Sequence, residues 1–233
     1  PYGGAFKVSK GLSSTYPNQV ISTPISEAAI TGVGVGLAMH GKLPVVEIMF
    51  GDFITLTADQ IINHCAKFSY SNESHKPSII IRTPIGGGRG YGSTHSQNLE
   101  KIFGGIPGIK IENLSFLHDI DYCYKNSINN NGCTIISEPK TQYGMRSIDI
   151  NFRIKDLWEI KSLRDNDGQE IIFFKFKENN PDLTIISTGV NLTHILESID
   201  ELFFDKELCI NVIIPRRIYP LDLFTNNTEM YSS

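Results

Sequence analysis

The stretch that most limits the possible folds is Ser78-Ile79-Ile80-Ile81-Arg82, a β-branched run closed off by Pro77 and Pro84. A short apolar strand without polar alternation is the pattern of a parallel strand buried on both faces. Parallel strands need crossover helices, and the flanking sequence supplies helical patterns on both sides. A glycine-dotted apolar helix is predicted to start near Glu27 and run through Gly32, Gly34 and Gly36 to Met39. A strand at Pro44 to Met49 follows, then a helix at about Thr57 to Phe68. Beyond Arg82 come a glycine loop (Gly86 to Gly92), a short helix near Leu99 to Phe103, a strand at Ile109 to Ile111, a helix at Leu117 to Ile128 and a strand at Cys133 to Ser137. This alternation predicts an α/β fold with a mostly parallel sheet flanked by helices.

Residues 1–140 are expected to form this first domain. From 141 to 181 the composition turns polar and irregular, with only Ile171 to Lys177 strand-like, and the segment is read as a connection. A second βαβ unit occupies 182–233, with a strand at Leu183 to Ser187, a helix at Asn191 to Phe204 and a strand at Cys209 to Ile214. One such unit buries little core of its own, so the chain is expected to be fragmentary or to lean on a partner.

Within this frame, Thr23-Pro24-Ile25-Ser26-Glu27 sets a carboxylate at a helix start. Ser26 or Thr23 can cap the helix, and Pro24 suits its first turn. A glycine inside a helix costs about 1 kcal/mol relative to alanine, so three in succession imply close backbone approach, here read as approach to another subunit. Glu27, among Ile25, Ala28 and Ala29, is placed to hold a proton and share it with a ring nitrogen. The plainer role is a carboxylate favoured by the helix dipole, worth about 0.3–1 kcal/mol.

Five motifs occur in order: Thr23 to Glu27; Val46-Glu47-Ile48-Met49-Phe50-Gly51-Asp52-Phe53; Ala58-Asp59-Gln60-Ile61; Thr94-His95-Ser96-Gln97; and Pro107-Gly108-Ile109-Lys110. Together they resemble the beta subunit of the thiamine-diphosphate-dependent first component of 2-oxo acid dehydrogenase complexes, of the pyruvate and branched-chain type. The match runs from about Gly3 to Leu223. The resemblance implies a thiamine-diphosphate-binding fold, with a pyrimidine-type domain followed by part of a transketolase C-terminal-like domain. In that family the second domain continues beyond a motif like Ile214-Pro215-Arg216-Arg217-Ile218-Tyr219-Pro220-Leu221-Asp222.

The resemblance assigns Glu27 to the cofactor's pyrimidine ring, where it promotes the imino tautomer that removes the thiazolium C2 proton. Phe53 and Ile25 are implied to join it in binding the cofactor, Phe53 by stacking; its plainer role is core packing. His95, at the end of the glycine loop, is implied to handle protons on the substrate side, work that a near-neutral side chain suits. Arg89 is either a ligand for the substrate carboxylate or a solvated loop arginine. His40, His64, His75, His118 and His194 are read as solvated or structural.

The Gly-Asp-Gly that opens the diphosphate-magnesium motif of thiamine enzymes is absent, since Gly51-Asp52 is followed by Phe53. The implied chain therefore carries the pyrimidine half-site only. An alpha-type subunit would hold the diphosphate and Mg²⁺ in a two-alpha, two-beta heterotetramer, and a lipoyl acyltransferase would take the acyl group. The family's Asp-x-Asn-Pro loop is replaced by Asn129-Asn130-Asn131-Gly132, and no metal is expected on this chain. Acetoin-type or transketolase-like chemistry, and a non-catalytic assembly protein that keeps the fold, remain the alternatives.

The net charge of −4 and the lack of any Lys/Arg run exclude a nucleic-acid surface. Gly36 to Lys42 fits a phosphate-loop pattern until Leu43 stands where Ser or Thr is required. Cys65, Cys123, Cys133 and Cys209 have no paired spacing, which points to a reducing compartment, cytoplasm or organelle matrix. No run is long enough to span a bilayer. The Asn-x-Ser/Thr triplets at Asn72, Asn113, Asn191 and Asn226 are read as chance in an asparagine-rich chain.

Overall fold

In the computed structural model, residues 2–71, 76–146, 155–177 and 180–223 are described. The chain divides into two units, residues 1–111 with 127–141 and residues 112–126 with 142–233. His75, Asn72 and Asn226 lie outside the described residues.

Unit 1 is built on the isoleucine-rich strand. β1 (Val45–Glu47), β2 (Ser78–Ile85), β3 (Ile109–Asn113, whose last two residues belong to unit 2) and β4 (Gly132–Pro139) lie in the order β1-β2-β4-β3. β1 pairs with β2 and β2 with β4, both in parallel, with Ile81 opposite Val46 and Ile135. Ile79 to Ile85 are all buried, as a strand covered on both faces requires. Each isoleucine so placed contributes about 1.5–3 kcal/mol of burial.

Two short helices, α1 (Leu12–Thr15) and α3 (Lys67–Ser71), and one long one, α2 (Glu27–Met39), belong to this unit. A Cβ on Gly34 of α2 would stand 2.8 Å from Val46 Cγ2 and 3.0 Å from Ile79 Cδ1. Gly34 therefore lets the helix settle onto its own sheet. Gly32 faces the Gln60 side chain, and only Gly36 opens onto empty space. The close approach read from the sequence as facing another subunit is, at Gly34, made within the chain.

The predicted Thr57 to Phe68 helix is present without a break, entered from a 3-10 helix (Gly51–Thr57) and running through a π-helical stretch (Gln60–Ala66) into α3. An ion triad of buried Arg82 and Glu138 with half-buried Glu47 crosses the sheet. Arg82 Nη1 lies 2.9 Å from Glu47 Oε2, while Arg82 Nε and Nη2 donate to the Glu138 carboxylate.

Unit 2 corrects the expected boundaries of 1–140, 141–181 and 182–233. β5 (Trp158–Arg164) and β6 (Glu170–Phe176) form an antiparallel pair, and β6 pairs antiparallel with β8 (Ile210–Pro215). β7 (Leu183–Ile186) completes the sheet in parallel with β8, and α5 (Leu192–Lys206) lies between them in sequence. The segment read as a connection thus holds two strands of one four-stranded sheet, ordered β5-β6-β8-β7. It looked polar because β5 alternates over its first four residues, Trp158 and Ile160 against Glu159 and Lys161, which is the pattern of a strand open on one face, and ends on the charged Arg164.

Trp158, Phe174 and Phe176 pack with Leu192, Leu196, Ile199, Val212 and Ile214, so this unit has its own core. Helix α4 (Ile120–Asn129) spans the boundary between the two sets of residues. His118, just before it, is buried with both ring nitrogens satisfied. The Ser115 N–H donates to Nδ1 (3.0 Å), and Nε2–H donates to the Ile214 carbonyl (3.2 Å). Short strand β9 (Arg217–Tyr219) follows β8, and Arg216 and Arg217 both reach the buried Glu112 carboxylate. Those pairs explain why residues 112–126 belong with the second unit.

No helix among the described residues is long and apolar enough to cross a membrane.

Candidate active site

Functional side chains in open α/β sheets gather beyond the carboxyl ends of the parallel strands, and here three such ends converge. After β1 the chain reaches Phe50 and turns at once into the 3-10 helix carrying Asp52 and Phe53. The turn requires Gly51, since a Cβ there would stand 2.8 Å from Ile85 Cγ2 and 3.2 Å from the Gln97 carbonyl oxygen. After β2 comes the glycine loop, where Gly86, Gly88, Gly90 and Gly92 all take positive φ. It ends in a short 3-10 turn at Ser93–His95. After β4 comes Lys140.

These three ends build an aromatic cluster around His95. Its ring meets Phe50 edge-on at 4.7 Å between centroids and Phe53 at 5.3 Å. Tyr91 packs on Phe50 at 5.2 Å, and Phe6 touches both Phe50 and Tyr91 at 5.7 Å. The His95 Nδ1 is hydrogen-bonded to Thr94 Oγ1 at 2.8 Å. The buried Asp52 carboxylate accepts from the Gln97 N–H at 3.4 Å to each oxygen. Lys140 Nζ donates to the His95 carbonyl, and its ammonium sits 5.5 Å from the Phe50 centroid and 5.6 Å from that of Tyr91. Burial pushes the Lys140 pKa down, and the Asp52 charge pulls it back up.

Of the residues predicted from sequence, Phe53 and His95 are brought into contact. Phe53 is half-buried. Glu27 is the first residue of α2, which packs against the 3-10 helix bearing Phe53. Its side chain is half-buried and makes no hydrogen bond or ion pair with the other described residues. Ser26 is the N-cap, but neither it nor Thr23 makes the side-chain cap that their residue types allow. Ile25 stands out in solvent at 79% exposure. Arg89 is tied down, with its Nε donating to the Lys140 carbonyl at 3.0 Å. Among the described residues no cluster of His, Cys, Asp or Glu could hold a metal ion.

Sequence reading missed Phe50, Tyr91 and Lys140. Lys140 carried a signal that could have found it: a lysine three residues beyond the predicted strand Cys133 to Ser137 falls near the carboxyl edge of the sheet.

A parallel sheet with aromatic, histidine and carboxylate side chains gathered at its strand ends defines a ligand-binding α/β domain. Residues 2–146 match the family described as the transketolase pyrimidine binding domain, and the chain belongs to that family. It is 33% identical over 224 residues to the 2-oxoisovalerate dehydrogenase subunit beta of Bacillus subtilis (strain 168), covering 94% of this chain and 64% of that one. It is 34% identical to a chloroplastic pyruvate dehydrogenase E1 component subunit beta-3 of Arabidopsis thaliana, over 96% of this chain and 52% of that one. The mitochondrial pyruvate dehydrogenase E1 component subunit beta of Homo sapiens is 31% identical, over 96% and 60%. The chain thus spans between about half and two thirds of the length of these relatives.

The solved structure of a split-gene transketolase, an inactive beta4 tetramer, superposes with a TM-score of 0.62 at 19% identity. That overlap takes in 93% of this chain and 63% of the other, and it establishes a transketolase-like α/β fold.

Proposed function

We propose that this chain supplies the pyrimidine side of a thiamine-diphosphate site, as the beta-type part of a 2-oxo acid dehydrogenase. The observation that carries the reading is the half-buried Glu27 carboxylate at the start of α2, which has no partner among the described residues and whose helix packs against the segment bearing Phe53. A carboxylate left without a partner among the described residues can serve a ligand, and the relatives' names supply the class. The donor set fits the pyrimidine half of thiamine diphosphate: a carboxylate for a ring nitrogen, an aromatic ring for its face, and an imidazole nearby.

When bound, thiamine diphosphate would supply the electron sink for decarboxylating a 2-oxo acid. Glu27 would hold a proton in a hydrogen bond to a pyrimidine ring nitrogen and exchange it there. Phe53 would cover the ring face and, with Phe50 and Tyr91, keep water from it. His95 would give or take a proton at the substrate, its ring held edge-on between Phe50 and Phe53. Arg89 is the weaker candidate for a substrate carboxylate, because its Nε is already committed to the Lys140 carbonyl. Diphosphate and Mg²⁺ would be held by an alpha-type partner in a heterotetramer, with the acyl group passed to a lipoyl carrier.

The test is calorimetric binding of thiamine diphosphate with Mg²⁺, to the chain alone and to the chain co-expressed with an alpha-type partner. Binding in the co-expressed complex, with decarboxylation abolished by Glu27→Gln, is the expected result. Wild-type decarboxylation in Glu27→Gln would take Glu27 out of the chemistry, and no binding in either preparation would leave the fold without it.

A further inference from the structure

Lys140 is among the largest fully buried side chains of the molecule, at 1% exposure, yet no carboxylate lies within ion-pair distance of its ammonium among the described residues. Burying an ammonium with no carboxylate in contact, the Asp52 charge acting only from a distance, is costly, so the hydrogen bond that the ammonium does make matters. What it bonds to is specific. Its Nζ donates to the main-chain carbonyl of His95, and the rings of Phe50 and Tyr91 flank the charge. Its own carbonyl receives the Arg89 Nε, and a Cβ on Gly88 would lie 2.9 Å from the methyl of the next residue, Thr141. The glycine loop therefore rests on the end of β4 at Gly88, at Arg89 and at His95. From the other side Asp52 accepts the Gln97 N–H.

We propose that Lys140 is a positioning residue that fixes the backbone of His95, and with it the glycine loop, so that the imidazole stays between Phe50 and Phe53. The loop has four glycines at positive φ and little intrinsic stiffness, so its order must come from such contacts. The role in turnover rests on the proposed function of His95; the hold on the loop does not.

The hold is tested on the chain itself by tryptic nicking after Arg89, identified by mass spectrometry, in wild type, Lys140→Met and Lys140→Arg. Methionine fills similar space but leaves the His95 carbonyl unsatisfied. Cleavage at Arg89 is expected to quicken at least about fivefold in Lys140→Met and to return towards wild type in Lys140→Arg, with the thermal unfolding midpoint little changed. Nicking of Lys140→Met at the wild-type rate would overturn the proposal. If Lys140→Met does not fold, Lys140→Leu, which likewise has no donor for the His95 carbonyl, is read by the same assay and judged by the same criterion.

The consequence for turnover is read in the co-expressed complex by a double-mutant cycle with His95→Ala. Lys140→Met is expected to lower kcat about 10- to 100-fold with little change in KM, and to cost less than about twofold once His95 is alanine. Equal losses in both backgrounds would assign Lys140 a general structural role and overturn its action through His95. Wild-type turnover in His95→Ala would instead defeat the catalytic reading of His95, with the nicking result still deciding what Lys140 does to the loop.

Discussion

His118 makes unit 2 sensitive to mild acid. It is 5% exposed, with Nδ1 accepting from the Ser115 N–H and Nε2–H donating to the Ile214 carbonyl, so the neutral imidazole is fully satisfied. A proton arriving at Nδ1 would break the Ser115 bond and bury a charge. Burial lowers its pKa from 6.5 to about 4, the Glu170 charge opposing and the Arg216 charge adding to the effect. The sign follows directly. Above pH 6.5 the ring is neutral in both folded and unfolded chain, and the site imposes no penalty. Between 6.5 and about 4 the unfolded chain takes up a proton that the folded chain refuses, so stability falls with pH. At about 1.4 kcal/mol per pH unit, the full loss is about 3.5 kcal/mol.

The comparison is wild type against His118→Asn, whose amide oxygen can still accept the Ser115 N–H but does not titrate. At pH 7.5 the variant should be less stable by about 1–3 kcal/mol for the lost bond to Ile214. Towards pH 4.5 that gap should close, because only wild type pays for the proton. Trp158, the one tryptophan in the chain, lies in the core of the same unit. Urea unfolding followed by its fluorescence therefore reports on this unit. Parallel stability curves for the two proteins across pH 7.5 to 4.5 would refute the reasoning.

Arg82→Met should destabilise unit 1 by about 3–5 kcal/mol, since it leaves the Glu47 and Glu138 carboxylates together without their cation; a change under about 1 kcal/mol in thermal unfolding followed by circular dichroism would show those charges to be solvated. Gly34→Ala should cost about 1–3 kcal/mol, because the new methyl meets Val46 and Ile79. Gly36→Ala, where the methyl meets nothing within 4 Å, should stabilise the isolated chain by about 0.5–1 kcal/mol. Thiol titration of the native chain should modify Cys209 first, which is half-exposed, and reach Cys65, Cys123 and Cys133 only on unfolding. At Cys133 a hydrogen bond with Cys65 and complete burial both raise the pKa, so its thiolate is scarce; fast reaction there in the folded chain would contradict the packing.

Most of unit 1 was legible because its signals are local. Ser78-Ile79-Ile80-Ile81-Arg82 reads as a doubly covered parallel strand from composition alone, and Glu27 opens its helix in the structure as it does in the sequence. Unit 2 was less legible. β5 shows Trp158 and Ile160 among charged neighbours, and its partner β6 is placed in the sheet by β8, where Ile171 pairs with Pro215, 44 positions away (215 − 171), a separation that no local period records.

The sequence by itself determined the α/β alternation, the strand that anchors the first sheet, and the candidate side chains Glu27, Phe53 and His95. The tertiary structure decided which of these meet. It set His95 against Phe50 and Phe53, left Glu27 unpaired among the described residues, left Ile25 in solvent, and drew Lys140 in from the end of β4 to donate to the His95 carbonyl. The physical reason is that periodicity encodes which face of an element is apolar, whereas contacts at strand ends are set by how several strands stack in parallel, a relation between distant segments.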